Sequence, residues 1–225
     1  MVSLFFKLGL ADQLYLMLLL IALVILVVKY DKIPYNLKPL IWLTASHFTA
    51  EIFADYINYE LHQNNLFIYH LLTPIEYLCL SLIFFKTFAS KSLSLLVLWS
   101  ILTYFLFVVI CELMWEPIEV NNSIAFIAEC LLVVYWCFVY FKKLLQQEDD
   151  YRPEHDRTFW VIISILIYFT GNLFILGTFN YFVEYKLAMG PQIYYTGYAF
   201  YYIFYLVVIA THTLNYFRDY DYRSG

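Results

Sequence analysis

Apolar residues recur along the chain in seven runs, each close to 20 long and separated by short polar breaks. A helix of that length reaches about 30 Å at ~1.5 Å per residue, the thickness of a bilayer's hydrocarbon core. The runs predict spans near 6–28, 38–58, 66–86, 93–114, 121–142, 158–180 and 192–214. The longest break, Gln146 to Arg157, is a charged loop around Pro153 and reads as solvated. No stretch is long and polar enough for a second domain. The expected fold class is therefore all-α: residues 1–225 as a single seven-transmembrane helix bundle.

Polar residues interrupt the runs at helical spacing. His47, Glu51 and Asp55 share one face of span 2; Tyr69, Thr73 and Glu76 share one of span 3. Asn122, Glu129 and Trp136 fall together on span 5, and Ser164, Tyr168 and Asn172 on span 6. Span 7 carries the longest stripe, Tyr194, Tyr198, Tyr201, Tyr205 and His212. Lipid cannot satisfy such groups, so these faces are expected to point into the bundle. A carboxylate in hydrocarbon costs roughly 2.5–3.5 kcal/mol on insertion scales, which makes Glu51, Glu76 and Glu129 the most informative residues. Counting inward from the span ends, Glu51, Glu76, Glu129, Asn172 and Tyr201 lie in one layer roughly 10–15 Å deep. Pro74, two residues before Glu76, removes a backbone hydrogen bond beside that acid, and Gly171 next to Asn172 permits close helix approach.

Charge placement sets the orientation. Eleven of the 13 Lys and Arg residues fall in loops 1–2, 3–4 and 5–6 or in the tail, leaving Lys7 and Lys186 opposite. The positive-inside rule then puts the N-terminus outside and the C-terminus in the cytoplasm. A cell inner (plasma) membrane location is expected, with no cleavable signal peptide, because Lys29, Tyr30 and Asp31 follow the first span in place of a cleavage site.

An internal repeat is also visible. Phe48-Thr49-Ala50-Glu51-Ile52-Phe53 matches Phe169-Thr170-Gly171-Asn172-Leu173-Phe174, and Ile68-Tyr69-His70 matches Ile193-Tyr194-Tyr195. Leu10-Ala11-Asp12-Gln13-Leu14 is similar to Ile127-Ala128-Glu129-Cys130-Leu131. The layout is three-plus-one-plus-three: a first repeat over about 6–88, a linker helix over about 93–114, and a second repeat over about 121–217. Glu51 falls opposite Asn172 and Glu76 opposite Tyr201.

Composition sharpens this picture. The 225 residues are 63% hydrophobic and 22% aromatic, with 14% charged against the roughly 25% of soluble domains. The spacing of the four cysteines matches no zinc motif, and no HxxxH or HxxE pattern accompanies the acids. No cofactor, metal or nucleic-acid partner is expected.

The segments Tyr69 to Tyr77 and Tyr168 to Phe174 resemble the two signature stretches of an uncharacterised bacterial family of small seven-span membrane proteins. The layout is also similar to facilitators of the SWEET and PnuC kind and to opsin-like receptors. Two departures matter: no lysine lies mid-membrane in span 7, and the pair Pro191-Gln192 opens that span, which is the wrong place for a PQ-loop signature.

The expected function is binding of a small solute in a carboxylate-lined intramembrane cavity, by a facilitator or proton-coupled carrier. Glu51, Glu76 and Glu129 would bind the ligand or protons. Asn172, Tyr198 and Tyr201 would orient the ligand, with His47 and Thr73 on the same faces. The alternative is a sensory receptor module that signals to a cytoplasmic partner; homo-oligomers fit either. An intramembrane lipid-modifying enzyme ranks third, because no nucleophile–base pattern is present.

Overall fold

The computed structural model describes residues 8–146, 152–184 and 190–217, with backbone alone for 176–184 and 190–195. Its long elements are α1 (Leu10–Val28), α2 (Pro39–Tyr59), α3 (Leu66–Thr87), α4 (Lys91–Met114), α5 (Ser123–Leu144), α6 (Arg157–Glu184) and α7 (Gly190–Thr213). Short 3-10 turns at Tyr30–Lys32 and Pro153–His155 lie in two of the connections. Each helix edge falls within four residues of the edge predicted from hydropathy.

Among the described residues, five segments are long and apolar enough to cross a membrane: α1, α3, α4, α5 and the Arg157–Ile175 part of α6. The chain is thus a helical protein of multi-pass membrane character. The two remaining helices are the more polar ones. His47, Glu51 and Asp55 dilute α2, and tyrosines dilute α7.

Six helices form a closed ring in the order α1, α2, α3, α5, α6, α7, with α7 returning to pack on α1. α4 lies outside the ring, against α3 and α5. Its sequence explains the position. α4 is apolar nearly all round, and Leu95, Leu96, Trp99, Leu102, Leu106 and Val109 are exposed. A face of that kind suits lipid better than water.

One half of the ring is filled with packed apolar side chains. Leu19, Leu26, Leu40, Ile83, Phe84 and Val133 are fully buried there. Polar ties close that end. The Asn36 amide donates to Thr87 Oγ1 at 3.1 Å and to Thr158 Oγ1 at 3.0 Å, joining the α1–α2 connection to α3 and α6. Lys29 Nζ donates to the His212 carbonyl at 2.7 Å, where the last turn of α7 leaves acceptors open. At the other end Glu116 accepts the Ile124 N–H on both oxygens at 2.9 Å, so a carboxylate caps the positive start of α5.

Candidate functional site

The second half of the ring is hollow. A cavity of about 520 Å³ is walled by all six ring helices. Its mouth is rimmed by Asn58, Asn65 and Asn121, and its far end is formed by His47 and Glu76. The volume falls within the usual ~300–1,000 Å³ range of small-molecule sites.

Seven of the eight residues expected from the sequence line this space: His47 and Glu51 from α2, Thr73 and Glu76 from α3, Asn172 from α6, and Tyr198 and Tyr201 from α7. Ring closure brings them together from four helices.

Glu51 is half-buried on the wall. Its Oε2 accepts the Tyr69 hydroxyl at 3.3 Å, while Oε1 takes no hydrogen bond from the described residues. One carboxyl oxygen is therefore left for a ligand. Glu76, 4% exposed, meets His47 instead, with His47 Nε2 3.3 Å from Glu76 Oε1. The same Nε2 makes no aligned hydrogen bond, so the pair is an electrostatic contact with poor hydrogen-bond geometry. The opposite ring nitrogen, His47 Nδ1, lies 2.8 Å from the Tyr205 hydroxyl. If Tyr205 donates, the proton of a neutral ring stands on Nε2 and faces Glu76. Tyr205, His47 and Glu76 then stand in series across α7, α2 and α3, joined by a hydrogen bond at the first step and by an electrostatic contact at the second.

The turn of α3 before Pro74 is held from α5. Asn122 Nδ2 donates to the Tyr69 carbonyl at 3.0 Å and to Thr73 Oγ1 at 2.5 Å. Thr73 Oγ1 also donates back to the Tyr69 carbonyl at 2.7 Å. A proline cannot donate to the carbonyl four residues earlier, so the ladder is weakest at this turn. The polar side chains sit where α3 needs support, and α3 remains continuous through Pro74.

The seam between α6 and α7 is closed by a glycine. A Cβ on Gly171 would lie 2.5 Å from the Phe200 ring. Only a residue without a side chain leaves room for Phe200 there, and the next residue, Asn172, lines the cavity with Tyr198 and Tyr201.

Glu129 is the expected member that does not line the cavity. It is 0% exposed, and neither carboxyl oxygen has a hydrogen-bond partner. The α5 residues on the cavity wall are Ser123, in its first turn, and, further in, Phe126. At 100° per residue, Glu129 sits about 60° around the helix from it. That turn takes it toward α3 and α4, within electrostatic reach of Cys79, Tyr104 and Glu76.

Several contributors were not singled out from the sequence. Tyr15 of α1 is buried and lines the cavity, with its ring centroid 4.8 Å from that of Tyr201 and 5.8 Å from that of Tyr198. Asp12, one turn earlier, accepts the Tyr198 hydroxyl. The available signal was their i, i+3 spacing on one face of an otherwise apolar helix. A separate apolar groove, also about 520 Å³, runs outside the ring between α2 and α3, with Leu72 in the wall common to both spaces.

Comparison with family models, with curated proteins and with solved structures gives no significant match to this chain.

Proposed function

We propose that the protein binds a small polar solute in this cavity and carries it across the membrane, as a facilitator or proton-coupled carrier. The observation that carries the reading is the cavity itself: about 520 Å³ inside an apolar-surfaced bundle, with one carboxylate oxygen of Glu51 open on its wall. A structural polar network would be expected to pack down on its own hydrogen bonds, and this one encloses a space. A buried imidazole beside a buried acid at the closed end, His47 against Glu76, is where a coupled proton would be held.

The proposal includes seven crossings, an outside N-terminus, a cytoplasmic C-terminus and a plasma-membrane location. The ring order supports the three-plus-one-plus-three repeat. A half-turn that carries α1, α2 and α3 onto α5, α6 and α7 also carries the α3–α5 contact onto the α7–α1 contact. The repeat partners Glu51 and Asn172, and Glu76 and Tyr201, all line the one cavity. Rocking of the two halves would then expose the site alternately.

A receptor module is the second reading, favoured by one observation: the space is blind, ending at His47 and Glu76 above a packed core. Proteoliposomes separate the two. Labelled solutes should enter saturably, and Glu76→Gln should slow entry. Binding without flux for every solute class would refute transport and leave the receptor.

A further inference from the structure

We propose that the solute is an organic ammonium ion, a reading that rests on the cavity being a ligand site. The lining carries two carboxylates, Glu51 and Glu76, and among the described residues no lysine or arginine reaches it. Its surroundings deepen the bias. The titratable neighbours of Glu51 are His47 and two further acids, Asp55 and Asp12. An anion entering this space would meet two carboxylates with no lysine or arginine to offset them, and a neutral solute could donate to the open Oε1 of Glu51 but would bring no opposite charge to it.

The walls distinguish an organic cation from a bare metal ion. Tyr15, Tyr198 and Tyr201 form a mutually packed group, with Tyr198 and Tyr201 centroids 6.3 Å apart. Tyr69 and Phe126 stand elsewhere on the lining. Ring faces attract a soft, weakly hydrated cation, while a hard ion needs several converging oxygens. Among the described residues no three His, Cys, Asp or Glu side chains converge in that way. His47 adds an independent sign: it is 3% exposed, lines the cavity, and its Nε2 makes no aligned hydrogen bond there. The acid it faces, Glu76, is met by this electrostatic contact and by no hydrogen bond from the described residues, so a cation would reach it without displacing one. In this arrangement the ammonium sits against Glu51 Oε1, its substituents lie on the tyrosine rings, and the asparagines at the mouth hold polar groups of the ligand.

The test is calorimetric titration of the full chain in nanodiscs. The probes are methylammonium, tetraethylammonium and a hydroxyethyl-trimethylammonium ion. The controls are the uncharged carbon isostere of the last, with tert-butyl in place of trimethylammonium, a small carboxylate and a polyol. At least one ammonium should bind, about tenfold or more tighter than the isostere. Glu51→Gln should weaken it by about tenfold, Glu51→Asp should retain most of the affinity, and Tyr201→Phe should bind like the parent while Tyr201→Leu binds more weakly. Thermal unfolding of each variant identifies any that fails to fold, and the probe comparison on the parent stands without them. Equal binding of the isostere, or binding of the carboxylate or polyol alone, overturns the ammonium assignment and leaves the cavity as a ligand site. Silence from every compound overturns both.

Discussion

Replacing Glu129 with leucine should stabilise the protein. The side chain is wholly buried, and both of its oxygens lack hydrogen-bond partners. Each unsatisfied buried polar atom costs roughly 1–3 kcal/mol. Hydrogen bonds between membrane helices are worth only about 0.6 kcal/mol net, because the unfolded chain in a micelle also finds partners for its polar groups; those partners are lost to Glu129 on folding. Leucine is close to glutamate in volume and would contact Cys130, Val133 and Tyr104 with no polar atom to desolvate. We expect Glu129→Leu to gain about 1–3 kcal/mol in reversible unfolding by denaturing detergent in mixed micelles. Glu129→Gln keeps two unpartnered polar atoms and should change stability by less than about 0.5 kcal/mol. The order leucine above glutamine and parent is the diagnostic. Loss of more than about 1 kcal/mol in the leucine variant would mean that the carboxyl has a partner, and would refute the reasoning. A stabilised variant that no longer transports would identify Glu129 as a group retained for function at the expense of stability.

Gly171→Val should cost about 1–3 kcal/mol, because its Cβ would meet the Phe200 ring at 2.5 Å; adding Phe200→Ala should recover part of the loss in a double-mutant cycle. Tyr205→Phe removes the hydroxyl 2.8 Å from His47 Nδ1 and should cost about 1–2 kcal/mol in the same unfolding assay. Glu116→Ala removes the carboxylate that accepts the Ile124 N–H and should cost about 1 kcal/mol, with faster amide exchange confined to the first turn of α5.

The helices were legible because a span needs a run of apolar residues, and the run and the helix end together. Leu66–Thr87 and Pro39–Tyr59 fall within one residue of their predicted edges. Side-chain partners across helices were less legible. His47 and Glu51, four apart on α2, share a face by spacing, yet Glu51 takes the Tyr69 hydroxyl and His47 meets Glu76 of the next helix. Packing distance decides that choice, and a single helix's periodicity carries no packing distance. Glu129 was grouped with Asn122 by their seven-residue separation. Asn122 sits at the N-cap with ψ of 47°, outside helical geometry, so it does not report the direction of α5's cavity face. Tyr15 stands alone in an apolar run, and only the return of α7 onto α1 makes it part of the cavity wall.

The central claim is that the ring encloses a space open to small polar molecules, and cysteine accessibility tests it most directly. The native thiols Cys79, Cys111, Cys130 and Cys137 are all buried and should give a low background. In intact cells, a small membrane-impermeant thiol reagent should label the Asn172→Cys and Thr73→Cys variants, a cationic reagent faster than an anionic one. The Glu129→Cys variant should stay unlabelled until the protein is unfolded. Folded protein in which position 172 resists the reagent, or in which position 129 reacts as readily, would contradict the account.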